Sequence, residues 1–251
     1  MASTAPSAQP RLPLFYNSLV PLSPALHRNL TLADELSIDF ARTAHAVPLT
    51  VEEFVIAQRY YPIVFAPGDP GTPLALLGLA EGENLFMDAN GEWKEGTYVP
   101  AYIRRYPFML ARLNPQAQEL SLCFDDQAPG FSTGEAEGNL FDGDGPSQRT
   151  KDILKFCEQF EVAIQRTRLF MEELKELDLL QPGEATIQAG DTPQASFKGF
   201  LMVNEQKLHD LRGDQHRKLV KSAGLGFVYA HLFSLSHMRE MFALRAAPQQ
   251  A

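Results

Sequence analysis

"SQRTKDILKFCEQFEVAIQRTRLFMEELKELDLLQPG", residues 147–183, carries the longest periodic pattern in the chain. Ile153, Cys157, Phe160, Ile164, Thr167, Met171 and Leu174 step by four and three alternately, the spacing of one helix face. Ser147 or Thr150 offers a capping hydroxyl and Pro182-Gly183 a stop, so the pattern predicts a helix reaching about Leu180. Thirty residues of helix span roughly 45 Å, long for a packed element. Such a helix either braces the fold from within or forms a seam with a second copy of the chain, a homodimer through the 148–180 helix.

Downstream, "TIQAGDTPQASFKGFLMVNE" (186–205) reads as two strands about a Gly-Asp-Thr-Pro turn. The chain then closes with "NEQKLHDL" and, after an Asp214 cap, "QHRKLVKSAGLGFVYAHLFSLSHMREMF", helical segments with a break at Gly224 and Gly226. Upstream, Thr50 and Glu53 have capping-box spacing and open a short helix to about Tyr60. Pro62 ends it, and "IVFA" follows as a strand. "LALLGLA", "NLFMD" and "ELSLCFD" add short strands, with Asn90-Gly91 as a hairpin turn and "APGDPGTP" as a turn-rich loop. The fold class expected is therefore α+β: an antiparallel meander sheet with a long amphipathic helix and a C-terminal helical segment. Residues 1–13 read as a flexible tail and 14–246 as a single domain.

The chain has 251 residues, 45% of them hydrophobic, enough for a sizeable core. Net charge is −9, with 31 acidic against 22 basic residues, which argues against a nucleic-acid backbone binder. Cys123 and Cys157 lie far apart without metal-type spacing. No uninterrupted apolar run approaches the ~18 residues of a membrane span, and the N-terminus lacks the pattern of a cleaved export signal. A cytoplasmic location is the expectation.

Asp88-x-Asn90-Gly91 fails as a calcium loop because its glycine comes fourth, not sixth, and reads as a turn. Asp125, Asp126, Glu135, Glu137, Asp142 and Asp144 read as a solvated acidic loop. The six histidines show neither HExxH nor an i,i+4 pair, so each reads as a hydrogen-bonded core or surface residue. No nucleophile elbow and no complete nucleotide loop occurs, so neither metal nor cofactor is expected and no catalytic motif is complete. The remaining chemistry is aromatic and basic: Trp93, Tyr98, Tyr102, Arg104, Arg105 and Tyr106 combine stacking rings with guanidinium forks, a candidate partner- or ligand-binding set.

"FYNSLVPLSPALHRNL", "HAVPLTVEEFVIAQRYYPIVF", "LLGLAEGENLFMDANGEWKEGTYVPAYIRRYPF", "ELSLCFDD", "LFDGDGPS" and "GLGFVYAHLFSLSHMREM" together resemble the SapC family, associated with bacterial surface-layer loci. The likeness runs from about Phe15 to Leu244, and concerns the surface-layer family rather than the antimicrobial-peptide permease of the same name. It implies an accessory role in cell-envelope or surface-layer biogenesis or export, binding a polypeptide or glycan. The alternative is an enzyme of unknown reaction that modifies a peptide or sugar alongside TonB-dependent uptake and halogenase-like systems. The resemblance brings no catalytic residue set.

Overall fold

The computed structural model describes residues 12–114, 116, 119–134, 138–189 and 192–246. The expected tail lies outside them except for its last two residues, and Glu135 and Glu137 lie outside them too. In chain order the elements are β1 (Val20–Pro21), α1 (Pro24–His27), β2 (Leu30–Leu32), β3 (Ala46–Pro48), α2 (Phe54–Ala57), β4 (Ile63–Ala66), β5 (Thr72–Leu76) and α3 (Ala101–Arg105). There follow β6 (Phe108–Ala111), β7 (Ser121–Phe124), β8 (Phe131–Thr133), β9 (Phe141–Asp142), β10 (Gly145–Pro146), α4 (Gln148–Glu176), β11 (Leu180–Ala189) and β12 (Thr192–Val203). Four helices close the chain: α5 (Glu205–His209), α6 (Gly213–Lys221), α7 (Gly224–Ser234) and α8 (His237–Ala246). The class is α+β, and every strand pair is antiparallel.

The chain forms two compact units, residues 1–36 with 105–157, and residues 37–104 with 158–251. The first holds a three-stranded sheet, β1-β7-β6, and the β2-β8 and β9-β10 pairs. "ELSLCFD" thus yields a strand, β7, in this small sheet. Phe108, Phe124, Leu140 and Cys157 are buried in its core, with Ile153 packed against them. Asp125 departs from the solvated acidic loop expected at 125–144. It is fully buried, and its carboxylate accepts the Asn17 N–H at 2.7 Å, the Ser18 N–H at 3.2 Å, the Gln127 N–H at 3.0 Å and the Tyr106 hydroxyl at 3.3 Å. A buried carboxylate persists when its lone pairs are filled in this way.

The second unit is built on a five-stranded sheet ordered β11-β12-β4-β5-β3. "NLFMD" contributes no strand to it. The turn at Asn90-Gly91 instead closes an isolated Met87–Trp93 bridge, because the Asp88 carboxylate takes the Asn90 and Glu92 N–H groups, both at 2.9 Å. These bonds hold the Asp88 carboxyl below its ordinary pKa. β12 meets β4 at a single register pair, Leu201–Phe65. Side chains of α7 fill the gap beside it. The buried His231 ring donates from Nδ1 to the Ile63 carbonyl at 2.7 Å and accepts at Nε2 from the Val203 N–H at 3.1 Å, while Ser234 Oγ takes the Ile63 N–H at 2.8 Å. Both strands therefore keep their backbone groups satisfied where the ladder is interrupted.

On the periodic face of α4, Cys157, Phe160, Thr167, Met171 and Leu174 are buried, and Ile153 and Ile164 are half-buried. The helix stops at Glu176, short of the expected Leu180, because Asp178 adopts a left-handed conformation (φ 51°) and Leu179 N–H returns to the Leu174 carbonyl at 3.0 Å. Pro182-Gly183 lies inside β11, at the sheet edge, where a residue without an N–H is tolerated. The break expected near Gly224 is real and is made by Ala223, which is left-handed at φ 64°. Asp214 falls inside the first turn of α6 rather than at its cap.

Candidate functional site

Glu53 organises the region that the sequence singled out. Its Oε2 takes the Thr50 N–H at 3.0 Å and the Thr50 hydroxyl at 2.9 Å, closing the expected capping-box link. Its Oε1 takes the Ala101 N–H at 2.6 Å and the Tyr98 hydroxyl at 3.0 Å. One buried carboxylate thus fixes the 3-10 turn of residues 51–53 that leads into α2 and the first N–H of α3, where negative charge also suits the helix end. Tyr98 carries Arg104, whose guanidinium donates to the Tyr98 hydroxyl at 3.0 Å and lies 5.4 Å from the ring centroid. Burial and the neighbouring Glu53 carboxylate push the Tyr98 phenol up to about 12.

The six candidate residues do not share one exposed face. Arg104 is exposed, Trp93 and Tyr98 are half-buried, and Tyr102, Arg105 and Tyr106 are buried. Trp93 stacks on the buried Phe86 at 6.3 Å between centroids. Trp93, Tyr98, Tyr102 and Arg104 belong to the second unit; Arg105 and Tyr106 belong to the first. There Arg105 sits 5.9 Å from the Tyr16 ring, and burial followed by the Asp125 charge raises the Tyr106 phenol to about 12.

Tyr102 leads to a cleft that the sequence reading did not single out. In the second unit a cavity of about 490 Å³ opens between residues 48–50, residues 69–73 at the start of β5, and α4. Leu49, Tyr102, Phe160, Ile164 and Met171 give it an apolar lining, and Pro48, Pro70 and Pro73 stiffen its rim. Three of its polar side chains, Thr167, Asp69 and Arg168, are engaged within the protein. The Thr167 hydroxyl donates to the Ala163 carbonyl at 2.7 Å and accepts the Val51 N–H at 2.9 Å, Asp69 pairs with Lys175, and Arg168 pairs with Glu172. The proline density of "APGDPGTP" was the one sequence signal for this cleft. The rest is tertiary, since the lining residues of α4, 160–171, and residues 48–50 are more than a hundred positions apart.

The SapC family model matches residues 22–241. The chain belongs to the SapC family. No curated protein matches it, and no solved structure does. The match takes in all of the cleft, Glu53 and the six candidate residues of this SapC-family chain. Among the described residues no helix is long and apolar enough to cross a membrane, and no group of three or more His, Cys, Asp or Glu side chains is placed to hold a metal ion.

Proposed function

We propose that this SapC-family protein is a non-catalytic accessory factor of bacterial surface-layer or cell-envelope biogenesis, holding an exported polypeptide on the cytoplasmic side through the cleft over α4. The single observation that carries the reading is the chemistry of that cleft: an apolar lining in which Thr167, Asp69 and Arg168 are already bonded inside the protein. Of the two partner classes, polypeptide is favoured over glycan. A glycan's hydroxyls need many donors and acceptors on release from water, and this lining offers few. Apolar side chains on an extended segment gain roughly 25 cal/mol per Å² buried, and a cavity of this size falls within the ~300–1,000 Å³ of ordinary ligand sites. The proline rim and the Glu53 bonds hold the cleft in shape before binding, which lowers the entropy lost on association. Tyr102 is the candidate residue that contacts the ligand; Arg104 is exposed beside Tyr98, outside the residues that line the cleft.

The test is an array of overlapping peptides from the surface-layer and outer-membrane uptake proteins of the source bacterium, probed with wild-type protein and with Ile164→Asp. Ile164 is half-buried in the cleft wall, so the substitution places a charge in the apolar lining with limited disturbance of the core. Peptides rich in Leu, Ile, Val or Phe are expected to bind wild type and to lose at least tenfold in affinity for the variant. An unchanged binding pattern in Ile164→Asp removes the cleft as the site.

A further inference from the structure

A second cavity of about 530 Å³ lies in the same unit, between α4, the start of α7 and residues 51–52. Four glutamates, Glu52, Glu172, Glu173 and Glu176, line it with two cations, Arg166 and Lys218. Both cations are committed: Arg166 to Glu52, and Lys218 to Glu176 at 2.7 Å. Glu172 is bonded to Arg168 at 3.0 Å. Glu173 is different. Its side chain is more than nine-tenths buried, and one oxygen accepts the Ser222 hydroxyl at 2.7 Å. The other oxygen is buried with no hydrogen-bond partner among the described residues. Lys218 acts on Glu173 through its charge, its bond being to Glu176. A buried carboxylate oxygen lacking a donor is an unfavourable arrangement that native proteins seldom retain without a use for it.

The surroundings indicate what would supply the donor. Phe170 and Phe227 line the cavity with their rings edge to face at 5.5 Å, next to Leu169, an apolar side chain that is 65% exposed. A cation carried on an aliphatic neck matches both parts: the neck packs on Leu169 and the rings, and the head supplies N–H groups and positive charge to Glu173. We propose that this cavity binds an alkylguanidinium or alkylammonium group, as found on an arginine or lysine side chain or on a free polyamine, with Glu173 as its counter-charge. The amino end of α7, which begins at Gly224 beside Glu173, carries about half a positive charge. That offsets part of the carboxylate charge and leaves a net attraction for a full cation. Because the site is separate from the cleft over α4, it stands whether or not that cleft binds a polypeptide.

The experiment is calorimetric titration of the full chain with blocked Ala-Ala-X-Ala-Ala peptides in which X is arginine, lysine, citrulline or norleucine, and with agmatine. Arginine and lysine peptides are expected to bind at least tenfold more tightly than their citrulline and norleucine counterparts. Glu173→Gln, nearly the same shape and still able to meet Ser222, should abolish that preference. Leu169→Ser, on an exposed position that spares the core, should weaken the cationic peptides severalfold and decides the matter if Glu173→Gln does not fold. Agmatine equal to the arginine peptide identifies a small-molecule site, and a tighter peptide identifies a polypeptide site; either supports the assignment. Equal binding of arginine and citrulline peptides, absence of any binding at millimolar concentration, or a charge preference that survives in Glu173→Gln overturns it.

Discussion

His231 makes stability fall as the solution is acidified, and the size of the effect follows from its position. Burial is the chief cause that lowers the ring from its ordinary value of 6.5 to about 4, opposed in part by the bond to the Ile63 carbonyl. The neutral ring is the one that fits, since its Nε2 must accept the Val203 N–H. On acidification the unfolded chain takes up the proton first, near pH 6.5, while the folded chain resists until about pH 4. The contribution is therefore complete above pH 6.5 and is lost progressively as pH falls toward 4. At pH 5 the loss is about 2 kcal/mol relative to pH 8, and below pH 4 it reaches about 3 kcal/mol. Urea unfolding followed by the single tryptophan, Trp93, at steps between pH 8 and 5 measures it. His231→Gln removes the proton linkage and leaves the Ile63 carbonyl without its ring donor, a loss of about 1–3 kcal/mol at pH 8 that narrows as wild type is acidified. The variant's stability should run flatter than wild type by about 2 kcal/mol across this range. Parallel pH profiles for the two proteins, or a wild type that gains stability between pH 7 and 5, would refute the assigned tautomer and its bonds.

Three further outcomes follow from the packing. Glu53→Gln replaces an acceptor of four hydrogen bonds by a group with a single acceptor oxygen, and is expected to lower stability by about 3 kcal/mol in urea unfolding. Gly183→Ala would place a methyl about 2.1 Å from the Phe200 ring, so an overpacking loss of about 1–3 kcal/mol should appear as a lower thermal midpoint. Cys123 and Cys157 are buried free thiols, and burial raises the Cys123 thiol above its ordinary pKa; neither should react with a thiol reagent within minutes in buffer, and both should react in urea.

What was legible in the sequence was local. The α4 periodicity, the Ser147 cap and the Thr50–Glu53 link depend on residues within a few turns of each other, and all three are present. The pairing of β11 with β12 was legible from Thr186 onward for the same reason, while Gly190 and Asp191 of the expected turn lie outside the described residues. Long-range choices were not. Nothing in "ELSLCFD" says that its partners are β1 and β6, and nothing in "NLFMD" says that Asp88 will claim the backbone groups of the following turn. The extent of α4 was misjudged because a Pro-Gly pair looks the same at a helix end and in an edge strand; the left-handed Asp178 decided it. For the candidate site, residue chemistry identified rings and guanidinium groups without their burial: Tyr102, Arg105 and Tyr106 are buried, Tyr102 lines the cleft, and Arg104 is exposed.

The acidic residues show why charge content alone misleads in this chain. A net charge of −9 suggests a solvated surface, yet among the described residues three carboxylates are buried and do different things. Glu53 and Asp125 each receive four hydrogen bonds and are satisfied by the chain itself, so a mutation at either should read out as lost stability. Glu173 receives one and keeps an oxygen without a partner. Removing its charge takes away an unfavourable buried group rather than a filled one. Glu173→Gln should therefore leave the thermal midpoint unchanged or raise it, while Glu53→Gln lowers it. A pair of variants alike in chemistry and opposite in effect separates a carboxylate that holds the fold from one that is kept for a ligand.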